Sequence, residues 1–585
     1  MATGSALARA RALGRPRVAA WIDPSRLVWG AAATVLLLMV VLPLGWIVVA
    51  SLRADRDESW TLANYADAFA SGRYLGPVLN SLLLATAAAS AAIVLGTALA
   101  WAIGRTDMPG RALLRALIFA AFVTPPFLGA TAWIFLAAPN SGWLNRGWIA
   151  LTGAPKGPFN IYSLVGAIFV VSLYSYPYAF AFVSTALESM PADLERAAAL
   201  LGAGWLRTTL RITLPLARPA ILAGALMSFL EAIAEFGTPA FLLIPARQQV
   251  MTTQLYLFFQ YPARPNLAAA YAVPLLALAI GLFILQQRLL RRGRFTLVAG
   301  KGGDRSPISL GRWRWPLFAL CMVPATLSLV LPYGALLATS LSKVWGRGPV
   351  LGNLTLDWYG WAFVGNLAAR SAIAHSLTYA AAAATIATVL ALFTAYVASR
   401  GLIPAAWLLG LIAKAPFVAP GIVLAIGFFS AYARPPLVLY GSAWMLIVAF
   451  GTRFLPIAYA GIEAALQTVD RDLELAARTL GRSQLGTLRR ITMPILRRGI
   501  LATWLMVFIP SLRELSCAIF LFTPATAVMS TLIFDLSDAG NFEQVSTLGV
   551  VMMVLTFGLV GLAYRLFGGV GLGRRPAGEQ LPGGV

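Results

Sequence analysis

Charge is what this sequence has least of. Only 11% of its 585 residues are Asp, Glu, Lys or Arg, where a soluble domain carries about a quarter. That is too little to cover a soluble surface of this size, so a soluble globular protein is excluded. Histidine occurs once, at His375, and cysteine twice, at Cys321 and Cys517, both inside apolar runs. A histidine-rich metal site is excluded by count. The two cysteines make neither a ligand-spacing motif nor a disulfide framework and read as small apolar fillers. No G-x-x-x-x-G-K-[ST] phosphate loop occurs; the nearest string, Ala299-Gly300-Lys301-Gly302, lacks the leading glycine and the hydroxyl residue. ATP hydrolysis by this chain is excluded on that ground. Acidic residues are outnumbered, 22 against 45 basic ones, for a net charge of +23. The surplus is not gathered on one face as a nucleic-acid footprint would be. It falls between apolar runs, where it orients a membrane protein and meets anionic lipid.

What the sequence has in abundance is apolar runs of the length that spans a bilayer, about 20 residues. Twelve occur, near 28–51, 80–103, 113–137, 161–187, 217–242, 268–290, 315–341, 376–399, 405–430, 443–465, 497–522 and 545–567. The first follows Arg9, Arg11, Arg15, Arg17 and Arg26, is longer than a signal-peptide core and reads as an uncleaved span. The expectation is an all-α polytopic membrane protein. Twelve spans put both termini on one side. With both termini inside, and basic residues at the ends of runs counted with the segments they adjoin, 31 Lys and Arg fall on inside segments, 11 on outside loops and three within spans, as the positive-inside rule requires. The most basic segment is the inside linker with Arg288, Arg291, Arg292, Arg294, Lys301, Arg305, Arg312 and Arg314. The last outside loop, about 523–544, holds Asp535, Asp538 and Glu543 and no Lys or Arg.

The chain is also an internal duplication. Ser81 and Arg105 frame the second run; Ser376 and Arg400 frame the eighth. Residues 193–215, DLERAAALLGAGWLRTTLRITLP, return at 472–494 as DLELAARTLGRSQLGTLRRITMP, identical at 13 of 23 positions without a gap. Two parallel six-span halves are expected, 1–296 and 297–585, related by an axis along the membrane normal. Each carries its duplicated block in an inside loop, about 189–219 and 468–498. Asp193 and Asp472 are candidate helix caps, with Glu195 and Glu474 in the first turn. Small residues follow, Ala197 and Ala198, then Ala476 and Ala477, and allow close approach. Gly202 and Gly481 supply a stop, and Pro215 and Pro494 precede the next span. A short helix, a glycine turn and a second helix make a docking plug at the membrane surface.

On these residues the chain resembles the permease family of binding-protein-dependent ATP-driven importers, in its type I fold. The family motif is Glu-Ala-Ala, three residues, Gly, nine residues and Ile-x-Leu-Pro. The Ala pairs, Gly202 and Gly481, Ile212 and Ile491, and Pro215 and Pro494 match; Met493 stands where the motif has Leu. Arg196 and Leu475 stand at the motif's Glu, and Glu195 and Glu474 lie one residue earlier. The resemblance implies two ATP-binding subunits, one under each plug, a separate external binding protein, and transport by rocking of the two halves. It assigns Glu195, Ala197, Ala198, Gly202 and Pro215, with Glu474, Ala476, Ala477, Gly481 and Pro494, to ATPase coupling.

In this family the fifth span of each half lines the path. Glu235 and Glu514 occupy equivalent positions in spans five and eleven, and a charge within a span is functional by default. They are candidate path residues, with Arg453 and its counterpart Tyr174. The alternative is pairing with neighbours, Arg513 beside Glu514 and Glu231 one turn before Glu235. Lys414 could balance a carboxylate. The stretch Glu235-Phe-Gly-Thr-Pro-Ala240, with Thr252-Thr253-Gln254, is most similar to the ferric iron branch, and a carboxylate pair suits a hard cation. Thiamine, aminoalkylphosphonate, polyamine and sulfate are the alternative substrates. The loop Gly104–Arg111 weakly resembles that of ion-coupled secondary transporters of the major facilitator type; a Pro-Gly turn with a basic flank also explains it.

Overall fold

The computed structural model describes residues 24–55, 57–70, 72, 74–190, 193–292, 307–348 and 350–567. Arg9, Arg11, Arg15, Arg17, Arg294, Lys301, Arg305, the string Ala299–Gly302 and the expected division at 296/297 lie outside the described residues.

Ten helices among the described residues are long and apolar enough to cross a membrane: Leu27–Ser51, Leu75–Arg105, Leu164–Ser189, Trp205–Ala234, Pro265–Leu289, Gly311–Ser340, Leu367–Arg400, Ala443–Leu466, Gln484–Leu512 and Phe542–Ala563. The third and ninth apolar runs are not straight helices. Each is a pair, Arg111–Val123 with Pro126–Ala137 bent by 99°, and Trp407–Phe417 with Gly421–Tyr432 bent by 112°. Prolines cause the breaks. Thr124 precedes Pro125 and Pro126 and is extended at ψ 132°, because a residue before proline is excluded from the helical region. At the other bend Pro420 itself is extended, at ψ 143°, ahead of Gly421, and as a proline it has no N–H to carry the preceding helix onward.

Each bent pair still crosses. At one end Arg105, just before the third span, donates to Leu187 O at the end of the fourth (3.1 Å). At the other, Ile161 N–H, just before the fourth span, donates to Ala137 O (3.2 Å). The ninth span repeats this: Lys414 pairs with Glu463 near the end of the tenth (2.8 Å), and Leu439 N–H, ahead of the tenth, donates to Tyr432 O (2.9 Å). Counting each bent pair as one span gives twelve.

Prolines leave a second mark. Single π turns at Leu37–Val41, Thr209–Thr213, Thr326–Val330 and Leu488–Thr492 each end two residues before a proline: Pro43, Pro215, Pro332 and Pro494. A proline inside a helix removes one N–H and clashes with the carbonyl four residues back; widening the turn relieves both. Pro215 and Pro494 were expected ahead of their spans. They lie within them, because helix continues through the π turn from Trp205 and from Gln484.

Packing within each half uses small residues, as lipid-embedded helices do. A Cβ added at Gly96 of the second span would stand 2.7 Å from Phe180 N of the fourth. Packing between halves uses an exchange of first spans. Tyr432 OH of the second half donates to Leu38 O of the first span (2.6 Å), and Gly427 abuts Pro43. Reciprocally, Tyr174 OH of the first half donates to Ser328 O of the seventh span (2.9 Å).

Candidate functional site

The duplicated loops form two short helices, Asp193–Leu200 and Arg471–Thr479. The second is capped by Asp470, whose carboxylate accepts Asp472 N–H (3.0 Å). Asp472, expected as a cap, sits inside the first turn instead, since its helix begins one step earlier, at Arg471. Asp193, also expected as a cap, is the first described residue of its own helix and lies in its first turn. Both helices end in a left-handed glycine, Gly202 at φ 79° and Gly481 at φ 83°. Paired bonds close the ends: Ala203 N–H to Ala198 O and Gly202 N–H to Ala199 O, then Arg482 N–H to Ala477 O and Gly481 N–H to Arg478 O. That is the Schellman stop.

The glutamates face the spans. Glu474 takes Arg400 in a two-pronged bond, Nε to Oε2 at 2.8 Å and Nη2 to Oε1 at 3.2 Å. Thr492 Oγ1 donates to the same carboxylate (2.8 Å). In the first half Glu195 meets Arg105 Nε at 3.3 Å and Thr213 Oγ1 at 2.8 Å. Arg105 and Arg400 end the second and eighth spans; Thr213 and Thr492 end the π turns of the fifth and eleventh. Each loop helix is thus pinned to the same two spans of its own half. Ala198 and Ala477 are buried beneath the helices, while Ala197 and Ala476 are exposed. The outer faces carry exposed leucines at equivalent positions, Leu201 and Leu480 at 88% and 86%. The two threonines and the pinning role of the arginines escaped sequence reasoning. Their identity in both halves was the available signal.

Glu235 and Glu514 were expected within helical spans and lie at breaks. The fifth span ends at Ala234 and the eleventh at Leu512. Glu235 Oε1 accepts Thr238 N–H (3.1 Å) at the start of the helix Gly237–Leu243. Glu514 Oε1 accepts Cys517 N–H (2.9 Å) ahead of Ala518–Leu521. Hydropathy runs unbroken through these points, so the breaks were invisible to it. The expected pairing of Glu514 with its neighbour Arg513 is not made. Arg453 of the tenth span takes Glu514 (Nε to Oε2, 3.4 Å) and donates to Ala419 O at the bend of the ninth (3.3 Å). Arg513 instead reaches across to Val123 O at the bend of the third span. Glu231 lies beside Tyr178, within electrostatic range of Arg453, Arg513 and Glu514. Tyr174, the counterpart of Arg453, is outside this group and bonds the seventh span. Three carboxylates and two guanidiniums from both halves therefore meet inside the membrane.

Rings from both halves interlock next to this cluster. Phe236, adjacent to Glu235, lies 6.3 Å from Phe520 and 6.2 Å from Phe534. Tyr256 lies 6.0 Å and 5.6 Å from the same two. Tyr256 and Phe534 ride on short helices, Met251–Leu257 and Met529–Asp538, whose first N–H groups are held by Ser81 and Ser376 (2.7 Å each). The serines that frame the duplicated spans thus anchor these two short helices. Among the described residues no three of His, Cys, Asp and Glu converge as a metal-binding group.

Residues 92–295 and 387–569 both match the family described as the binding-protein-dependent transport system inner membrane component. The chain belongs to this family. As an inner membrane component of such a system it is a multi-pass transport subunit rather than an enzyme, working with a binding protein and an ATPase. Its similarity to the ferric transport system permease protein FbpB of Actinobacillus pleuropneumoniae is 26% identity over 494 residues, 83% of this chain and 70% of that protein. A putative ferric transport system permease protein, FbpB 1 of Haemophilus influenzae, is 27% identical over 470 residues, 77% of this chain and 71% of that one. The molybdenum transport system permease protein ModB of Escherichia coli is 28% identical over 222 residues, 37% of this chain and 93% of ModB. The first two similarities run through both halves of this inner membrane component, the third through a length nearer one.

Proposed function

We propose that this chain is the double-length permease of an ATP-driven importer of ferric iron. Two ATP-binding subunits dock on the cytoplasmic side, one beneath each loop helix, and a periplasmic binding protein delivers cargo to the opposite face. Both termini are cytoplasmic, and the halves divide near residues 296 and 297. The observation that carries this reading is the Arg–Glu–Thr pin repeated under both loop helices. A partner pressing on the exposed leucine faces moves Glu195 and Glu474, and through them the second and fifth spans of the same half. Closure of the ATPase pair then rocks the halves, parts Phe236 and Tyr256 from Phe520 and Phe534, and opens the path outward. Hydrolysis reverses the motion, in alternating access by rigid-body rocking. Glu195, Ala197, Ala198, Gly202 and Pro215, with Glu474, Ala476, Ala477, Gly481 and Pro494, are the coupling residues. The carboxylates transmit the motion, and the outer face makes the contact.

Ferric iron is supported by two relatives named for it, each aligned over more than three quarters of the chain. A path for a cation favours negative charge along it, and Glu231, Glu235 and Glu514 bring carboxylates to the centre without converging as a ligand set among the described residues. An oxyanion is the second reading, favoured by Arg453 and Arg513 at the same level. The test is uptake of labelled ferric iron into proteoliposomes holding this chain, its ATPase and its binding protein. Uptake requiring all three and ATP is expected. No iron uptake, with ATPase activity stimulated by another loaded binding protein, would overturn iron and keep the class. Thiamine, aminoalkylphosphonate, polyamine and sulfate would then be tried. Uptake by the chain alone on an ion gradient would make it a secondary transporter.

A further inference from the structure

The two halves differ beside their loop helices. In the first half, the second and fifth spans leave an apolar groove of about 430 Å³ on their flank, lined by Ile93, Ala98, Trp101, Trp205 and Leu214. At its loop-helix end the groove runs into a second cavity of about 410 Å³ that shares Trp101, Trp205 and Thr209. That cavity is lined by Arg105, Arg111 and Arg196 against a single carboxylate, Glu195. Trp101 and Trp205 stand 5.7 Å apart at the junction, with Trp101 Nε1 donating to Thr209 Oγ1 (3.1 Å).

In the second half the same place is filled. Trp29 of the exchanged first span is 2% exposed, packs on Phe393 and Tyr396 at 5.9 Å each and donates to Gln484 Oε1 (3.3 Å). Phe393, Tyr396 and Gln484 are the counterparts of Ala98, Trp101 and Trp205, which line the open groove. The seventh span does not repeat the plug. Phe318, which stands as far ahead of its π turn as Trp29 does, packs on Gly110 instead. Trp313 and Trp315 at the start of that span remain 63% and 58% exposed.

We propose that one anionic phospholipid occupies this site, an acyl chain in the groove and its phosphate between Arg111 and Arg196. The groove is apolar and lies on the flank of two spans, where lipid tails are the solvent. Tryptophans mark the junction, at the depth of headgroups. The cavity beyond has an excess of guanidinium, which favours phosphate through charge-assisted bonds. Arg105 is already held by Glu195 and Leu187 O. Arg111 gives one N–H to Thr106 O (3.2 Å) and Arg196 lies 3.8 Å from the exposed carboxylate of Asp193, but both are exposed and a guanidinium has five N–H donors to share. A zwitterionic headgroup would bring a second cation among these arginines; an anionic one does not. Because Arg196 belongs to the first loop helix, the lipid braces that helix as Trp29 braces the region of the second. Only the first half's coupling then depends on lipid.

Native mass spectrometry of the full-length chain, stripped of lipid and given phosphatidylglycerol or phosphatidylcholine with matched tails, tests this. One retained phosphatidylglycerol per chain is expected, in preference to phosphatidylcholine. The double variant Arg111→Gln, Arg196→Gln should lower that retention on the order of tenfold. Ala98→Trp, which imitates the filled groove, should release the lipid with the melting temperature unchanged. Equal retention of the two lipids, or retention unmoved by both variants, would overturn the proposal. So would a photo-crosslinker at position 98 that captures residues 293–306 of the chain itself, making the linker the occupant.

Discussion

Glu474 and Arg400 keep only 7% and 11% side-chain exposure, while Glu195 of the matching pair keeps 23%. Removing one partner of a buried pair leaves an uncompensated charge, at a cost of about 3–5 kcal/mol. The guanidinium left behind is largely buried in both pairs, Arg105 at 5% and Arg400 at 11%. Glu474, however, holds its arginine by two bonds at 2.8 and 3.2 Å, where Glu195 meets Arg105 at 3.3 Å. Glu474→Gln should therefore lower the melting temperature of the purified chain more than Glu195→Gln does. Equal shifts would mean that the two-pronged bond adds nothing to the pin. Half of this pin was legible in sequence. Both glutamates stood in the duplicated text and both arginines framed the duplicated spans, yet 90 residues separate Arg105 from Glu195, so their meeting depends on the fold. Adjacency misled at Glu514. Arg513 is its neighbour in sequence, but at a helix end consecutive side chains point apart, and Arg453 from another span arrives instead. Glu235 allows the cleaner test of the path. Glutamine keeps the oxygen that accepts Thr238 N–H, so Glu235→Gln removes charge and spares the cap. Iron uptake should fall severalfold while ATPase co-purification is unchanged; undiminished uptake would leave Glu235 a helix cap and nothing more.

Among elements, the loop helices were the most legible, because a glycine stop after an acidic first turn is written locally. Gly202 and Gly481 carry positive φ, a conformation that costs other residues about 1–3 kcal/mol and β-branched ones most. Gly202→Val with Gly481→Val should fray both loop helices. ATP hydrolysis by the assembled transporter should then continue while transport falls, measured on the same proteoliposomes. Transport at the unaltered rate would sink the coupling role. The spans were legible as lengths of apolar text and not as shapes. Hydropathy averages over about 19 residues, so it passes over a bend at Thr124-Pro125-Pro126 and over the breaks at Glu235 and Glu514. The prolines were visible. What could not be read is which would bend a span by 99° or 112° and which would only widen a turn. The outcome depends on whether another group receives the freed carbonyl. Arg513 and Arg453 do so at the two bends.

At the scale of the whole molecule, duplication suggests two self-contained halves, and the contacts do not. The first span lies against the second half through Tyr432 and Gly427, and the seventh against the first half through Tyr174. Exchange of first spans leaves no trace in either half's own text, since apolar helices pack equally well by composition on either partner. The linker adds a third tie: Ile308 N–H donates to Arg105 O (2.9 Å), Asp107 N–H donates to Ile308 O (3.1 Å), and Asp107 accepts Leu310 N–H (2.9 Å). The Gly104–Arg111 loop thus has a structural use, the docking of the linker. If the halves are interdependent in this way, cutting the chain between residues 296 and 297 gives two fragments that need each other. Expressed singly, each lacks the span that covers its flank and exposes the polar groups that span would satisfy; both should aggregate or be degraded. Expressed together, they should co-purify as a complex in mild detergent and restore uptake with the ATPase and binding protein. A single fragment that ran monodisperse and melted cooperatively would show that the exchanged spans are accessory to two autonomous halves.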